Sequence, residues 1–339
     1  MSTISVPEAE AAARPAGSVR KQHFEYLPVS LFGSVMGLTG LSVAWRLAGQ
    51  RYGVPALVAD AVGWVALAAF AALALAYGAK VVTARAAVVA EFNHPIAGNL
   101  FGTILISLLL IPILLARSAP VLARGIWILA AAAMVVFALV IVSRWMGSRQ
   151  QVAHATPAWV VPVVGLLDLP LALPVLDLPA AHAVGQFGLS VGLFFALPLF
   201  TLIFSRLLFE EPLPAALRPT LMILIAPFAV GFSSYVAVTG RIDAFAESLF
   251  MLTLFVLAVL VGRLRDLPFC CPFRVSWWAV SFPLAATAAA ALRYADHAGS
   301  PVADAIALAL LAFATLVIAG LAGRTLLGIA RGELRALSG

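Results

Sequence analysis

The sequence predicts an all-α integral membrane protein of ten transmembrane helices that pair as five helical hairpins. Three observations support this prediction. The 339 residues are 63% hydrophobic and only 11% charged, whereas soluble domains are roughly half apolar and about a quarter charged. Ten apolar runs are long enough to cross a bilayer. Alternate runs carry an internal proline, which removes a backbone donor and bends a helix.

The predicted spans follow one another with short loops between them. An apolar helix of about 20 residues crosses the hydrocarbon core, and each run comes close to that length. We predict spans over 27–48, 55–78, 99–116, 120–143, 157–176, 184–208, 218–238, 244–263, 274–294 and 302–324. The chain then divides into a tail over 1–26, a transmembrane domain over 27–328 and a second tail over 329–339. The first tail is polar and has no apolar run, so we interpret it as a tail and not as a cleaved signal peptide.

Loop charges predict the orientation. If the chain starts in the cytoplasm, most of its 21 Lys and Arg residues fall on the cytoplasmic side. The positive-inside rule then places both termini in the cytoplasm and requires an even number of spans. The net charge of +6 is spread over short loops without a basic stripe. We therefore expect the lipid bilayer as a partner and do not expect nucleic acid.

Prolines within the odd-numbered spans predict which helices surround a pathway. A broken backbone hydrogen bond is tolerated in a membrane where the backbone meets protein, water or a cavity. We therefore expect an inner ring of bent odd helices and an outer ring of straighter even ones, although Pro198 in the sixth span breaks the alternation. The expected pore kinks are at Pro112, Pro162, Pro227 and Pro283.

Glycines form a stripe on one face of the first span, at Gly33, Gly37 and Gly40. Such a stripe lets a neighbouring helix approach closely, or it leaves open volume along a pore. Both interpretations stay open. Gly165 and Gly231, which follow prolines in later spans, favour pore lining slightly.

Asp168 is the one acidic residue well inside an apolar stretch. In one interpretation the fifth helix breaks near Pro170, which leaves Asp168 capping an end or facing water. In the other, Asp168 lies near the mouth of the pathway as a protonatable or substrate-repelling group, because ionisable residues inside membranes often mark ion or proton pathways.

Catalytic, cofactor and metal motifs are not found in the sequence. The five histidines are expected in tails or loops, and no nucleophile motif or paired intramembrane carboxylates appear. We predict that the protein is not an enzyme and has no cofactor or metal site. Cys270 and Cys271 are interpreted as small loop residues, with a metalloid-binding or redox pair as the alternative.

One stretch identifies a family. FRVSWWAVSFPLAATAAAALRYA, residues 273–295, resembles the ninth helix of the slow-type guard-cell anion channels and their bacterial TehA homologues. These belong to the tellurite-resistance/dicarboxylate transporter (TDT) family. PVSLFGSVMGLTGLSVAWR at 28–46 resembles its first helix, EFNHPIAG at 91–98 its loop before the third helix, and TPAWVVPVVG at 156–165 its fifth helix.

The resemblance implies a quasi-fivefold inner ring, a homotrimer with one pore per subunit, and occlusion of the pore by the phenylalanine of SFP, Phe282. Plant members conduct chloride and nitrate, and fungal members move malate or sulfite. We therefore expect a passive anion channel or uniporter of the bacterial inner or plasma membrane, with small inorganic or carboxylate anions as partners. The alternative is a proton-coupled exporter of a dicarboxylate or oxyanion such as malate, sulfite or tellurite.

Elementary physics makes the same role for Phe282 plausible. Pro283 follows it, so the ring is expected on a bent helix, where it can close a narrow tube by excluding water. The competing interpretation is a packed core aromatic. We expect anion preference to come from the positive ends of helices and from basic residues in the vestibules.

Overall fold

The computed structural model describes residues 24–178 and 180–338. Within these ranges every regular element is a helix, which confirms the all-α prediction. The predictions for tail residues 1–23 concern residues outside the described part of the chain.

Ten described helices are long and apolar enough to cross a membrane, which confirms the predicted number. We number them spans 1 to 10: Val29–Tyr52, Ala56–Thr83, Ala97–Leu115, Pro120–Gly147, Pro157–Leu176, Ala181–Phe209, Ala215–Thr239, Ala244–Cys270, Val275–Ala298 and Pro301–Ala330. Shorter helices occupy Arg85–Asn93, Val152–His154 and Leu334–Ser338.

Several helices extend past their predicted ends. Span 10 continues to Ala330 and span 9 to Ala298, because helical hydrogen bonding persists beyond the charged residues near which the predicted spans end. Two histidines expected in loops likewise lie in spans: His182 in the first turn of span 6 and His297 in the last turn of span 9.

The odd-numbered spans form the interior of the protein. At least 56% of the most apolar window of each odd span is buried, against at most 39% for each even span. Span 1 packs against span 3, span 3 against span 5, span 5 against span 7, span 7 against span 9, and span 9 against span 1. The odd spans therefore surround a common centre, and the even spans cover them.

Each odd span begins as a 3₁₀-helix before it becomes α-helical. The 3₁₀ stretches are Val29–Phe32, Ala97–Phe101, Pro157–Val160, Ala215–Ile225 and Val275–Val280. In spans 7 and 9 the prolines Pro227 and Pro283 fall in the first turn of the α-helical part, directly after the 3₁₀ stretch. The departures from regular α-helix in the odd spans therefore occur in their first turns as well as at their prolines.

The α-helix of span 5 gives way to a 3₁₀-helix across Pro170, but the span does not end there, and Asp168 is buried and does not face bulk water. A 3₁₀ segment covers Gly165–Ala172 and is followed by helix at Leu173–Leu176. The N–H of Leu173 donates to the carbonyl of Pro170. The helix therefore continues past the proline, which removes one donor without stopping the chain.

Two close contacts fix span 1 in place. The Glu91 carboxylate accepts hydrogen bonds from the Val29 N–H at 2.7 Å, from Lys80 Nζ at 2.7 Å and from the Tyr77 hydroxyl at 2.9 Å. This anchors the start of span 1 to span 2. Farther along, a Cβ on Gly37 would collide with the Ser281 side chain, so glycine is required for the close approach of spans 1 and 9.

Candidate pore

Two cavities lie among the odd spans. We call the first the N-side cavity, because the N-terminal halves of these spans line it. Its volume is about 180 Å³, and its lining includes Ser30, Gly33, Thr103, Val164, Asp168, Thr220, Val230, Ser276, Ala279, Phe282 and Pro283. The C-side cavity is lined by their C-terminal halves. Its volume is about 280 Å³, and its lining includes Gly40, Arg46, Gln50, Ile113, Pro174, Val230, Ala286, Phe282 and Arg293.

Phe282 and Val230 line both cavities. The Phe282 side chain is buried, with 7% exposure. A Cβ on Gly40 would lie 3.5 Å from the Phe282 ring and 3.0 Å from the Ala285 Cβ. A Cβ at position 40 would thus crowd Ala285 and make an ordinary contact with the Phe282 ring, so Gly40 allows spans 1 and 9 to pack closely beside that ring.

The C-side cavity carries positive charge. Arg46 lines it and donates to Asp60 Oδ1 at 3.2 Å and to the Ile113 carbonyl at 3.4 Å. Arg293 also lines it, and its buried Nε has no hydrogen-bond partner within the described residues. One arginine is thus partly neutralised, while the other keeps a donor without a protein acceptor.

The N-side cavity is mostly apolar. Asp168 is the one charged side chain among its described lining residues. The residue is 2% exposed, and its Oδ1 has no hydrogen-bond partner in the described chain. Asp168 is the twelfth residue of a 20-residue span, so it lies in the body of span 5 and not at its end.

The glycines selected from the sequence have different positions. Gly33 and Gly165 line the N-side cavity, and Gly40 lines the C-side cavity. Gly37 instead faces Ser281, and Gly231 faces Leu193 of span 6. The stripe in span 1 therefore serves helix packing and cavity lining at different residues, and the two interpretations were not exclusive.

The four prolines also differ in position. Pro283 lines the N-side cavity beside Phe282. Pro112 lies within the α-helical part of span 3, while Pro162 and Pro227 begin α-helical turns in spans 5 and 7. All four are in the odd spans that surround the cavities.

Sequence reasoning missed the cavity positions of Arg46, Arg293 and Val230. Both arginines fall within two residues of the ends of the predicted spans 27–48 and 274–294, yet both helices continue beyond them, to Tyr52 and Ala298. Their sequence signal is a basic residue within the last turns of an odd helix, spaced so that it faces inward. Val230 carries no comparable signal, because valine is common in every span.

The cysteine pair lies beside Arg218 of span 7. Arg218 Nη1 lies 2.9 Å from Cys270 Sγ and 3.8 Å from Cys271 Sγ. A hydrogen bond with Cys270, together with burial, raises the pKa of the Cys271 thiol. Across residues 24–178 and 180–338, no three His, Cys, Asp or Glu side chains come together in a metal-binding group.

Ten apolar helices, with two adjacent cavities among the odd spans, indicate an integral membrane protein of the channel or transporter class. The family model described as SLAC1, voltage-dependent anion channel, matches residues 26–326. The chain therefore belongs to this family, as the resemblance in span 9 predicted.

Individual relatives agree with the assignment. The S-type anion channel SLAH3 of Arabidopsis thaliana is 28% identical over 88% of this chain and 48% of its own length. SLAH2 from the same plant is 25% identical over 88% of this chain and 59% of its own length. The tellurite resistance protein TehA homolog of Haemophilus influenzae is 27% identical over 79% of this chain and 81% of its own length. The chain thus spans about half of the length of these plant relatives.

Proposed function

We propose that the protein is a passive anion channel or uniporter whose pathway runs through the N-side cavity, past Phe282, into the C-side cavity. The observation that carries the proposal is the lining of both cavities by Phe282 and Val230. A buried ring at such a boundary excludes water, and a dry apolar constriction blocks ions. In this account Phe282 is the gate and the odd spans form a quasi-fivefold ring.

Anion preference follows from two sources of positive potential. All five odd spans begin beside the N-side cavity, and helix N-termini carry partial positive charge. Arg46 and Arg293 supply full charges in the C-side cavity. Both features support anions over cations. The apolar lining between them favours anions that lose their hydration water easily.

Orientation and assembly complete the proposal. We propose that the protein lies in a bacterial inner or plasma membrane. Both termini are then in the cytoplasm and the N-side cavity opens toward the cytoplasmic side, as the loop charges favour. We further propose a homotrimer with three separate pores, in which the even spans make the contacts. The large apolar side chains exposed on the even spans, such as Trp64, Leu129 and Phe194, suit contact with lipid or with another subunit.

The competing function is proton-coupled export of a dicarboxylate or oxyanion. The observation in its favour is Asp168, a buried carboxyl beside the pathway. We give preference to the passive channel because the described lining of the cavities offers no second acid to relay a proton.

Flux measurements separate the two functions. Liposomes that contain the purified protein are loaded with the potassium salt of chloride, nitrate, malate, sulfite or tellurite. A potassium ionophore lets potassium leave with the anion, so that no charge builds up. We expect efflux that follows the anion gradient and continues after a protonophore is added. Efflux that requires a pH gradient and stops with the protonophore would establish the coupled exporter instead.

A further inference from the structure

The polar side chains of the N-side cavity bond mainly to the protein itself. Thr103 and Thr220 donate to carbonyls in their own helices, Leu100 and Leu217, at 2.6 Å each. Ser276 donates to the Ala216 carbonyl at 2.6 Å. The Trp278 indole donates to Thr325 Oγ1 at 3.0 Å. These four donors already form hydrogen bonds within the protein, so they offer little to an anion in the cavity.

Asp168 differs from these four donors. Its Oδ1 is buried in the cavity wall, and no partner satisfies it among the described residues. Buried polar atoms are usually hydrogen-bonded, so a native exception points to an absent water or ligand. An ionised carboxylate would also lie without a counter-charge in an apolar wall, which is costly.

Basic and titratable groups on the helices packed around Asp168 do not supply that counter-charge. Spans 3, 4, 6 and 7 contact span 5, and most of their titratable groups bond elsewhere near the span ends. Arg124 donates to the Leu176 carbonyl, Arg144 to the Phe92 carbonyl and Tyr235 to Asp243, and His182 bonds to the Val238 carbonyl. Arg206 near the end of span 6 has two unpartnered nitrogens, and neither bonds to Asp168.

We propose that Asp168 carries a proton and that its O–H donates a hydrogen bond to an anion held in the N-side cavity. The ligand class is a small monovalent anion, of halide or nitrate size, which the volume of about 180 Å³ accommodates. A neutral carboxyl attracts such an anion, whereas an ionised one repels it. This inference rests on the proposed function and gives that pathway a specific anion subsite before the gate.

Two substitutions separate hydrogen-bond donation from packing. Asp168→Leu keeps a branched side chain of the same number of heavy atoms but has no donor. We expect its anion flux to be about tenfold below wild type, which corresponds to the loss of one hydrogen bond to a charged group. Asp168→Asn keeps an N–H donor, so its flux should lie between the two. Thr253→Val is the matched control, because Thr253 is buried in span 8 away from both cavities. Equal flux in the Leu and Asn variants would overturn the proposal.

Infrared difference spectroscopy tests the site without measuring transport. At neutral pH we expect a C=O stretch of a protonated carboxyl that disappears in Asp168→Asn and shifts when nitrate replaces chloride. No Asp168-dependent band, or a band insensitive to the anion, would contradict the proposal. This experiment requires binding only. Absence of wild-type flux with an intact anion-sensitive band would therefore reject the channel and retain the site.

Discussion

Replacing Phe282 with alanine is expected to raise anion flux well above that of the wild type. The ring lies at the boundary of both cavities, and its removal joins them into one wider path. Water can then enter the constriction, so the dewetting barrier falls. Phe282→Leu should give intermediate flux, because leucine still excludes water but fills less space. Selectivity among small anions should change little, since the arginines remain. Anion efflux from proteoliposomes is measured for the wild type and for both variants.

A loss of stability is the main confounder of this experiment. Large-to-small changes of buried aromatic residues cost roughly 3–5 kcal/mol. Phe232→Ala is the matched control, because Phe232 is fully buried on span 7 and packs against the Phe250 ring at 5.9 Å between centroids. We expect it to lower thermal stability without raising flux. A well-folded Phe282→Ala that conducts no better than the wild type would make Phe282 a core residue and remove the gate.

Arg293→Leu is expected to lower anion flux at least about tenfold and to reduce anion-over-cation selectivity. Two unit charges about 4 Å apart interact by about 4 kcal/mol at an effective dielectric constant of 20. The Arg293 Nε has no acceptor among the described residues, so its charge is available to an ion in the C-side cavity. Arg293→Lys should keep most of the flux. Reversal potentials and efflux rates give the two readouts.

Arg241→Leu is the matched control for this charge. Arg241 lies in the loop after span 7, on the same face of the membrane as the C-side cavity, and its side chain is 71% exposed. Solvent screens such a charge strongly, so we expect nearly wild-type flux. Equal losses in the two leucine variants would indicate a general surface potential and not a site in the cavity.

The sequence predicted the number of spans and their arrangement because both depend on the hydropathy and proline content of whole segments. Ten apolar runs are sufficient to identify ten spans. The internal prolines of spans 3, 5, 7 and 9 indicated buried helices, because a missing backbone hydrogen bond is tolerated where a helix does not face lipid. Phe282 came from its resemblance to the SFP segment of one family, since composition alone does not distinguish one phenylalanine from the 21 in the chain.

Other features depend on packing and were beyond the sequence. The 3₁₀ starts of the odd spans reflect which carbonyl each N–H reaches, and neighbouring helices decide this. The sequence left two interpretations of Asp168 open, because it does not show that a 3₁₀ segment crosses Pro170 and that helix resumes at Leu173 with Asp168 buried. Arg293 was assigned to a span end because a basic residue lowers hydropathy, although span 9 continues to Ala298.

Side-specific cysteine labelling tests the central claim most directly. Ala279 lines the N-side cavity and Ala286 the C-side cavity, on the same helix as Phe282. In a protein with Cys270→Ser and Cys271→Ser, we predict that a membrane-impermeant thiol reagent reaches Ala279→Cys from one face and Ala286→Cys from the other. Adding Phe282→Ala should open each position to both faces. Labelling of both positions from the same face while Phe282 is present would contradict a pathway closed by that ring.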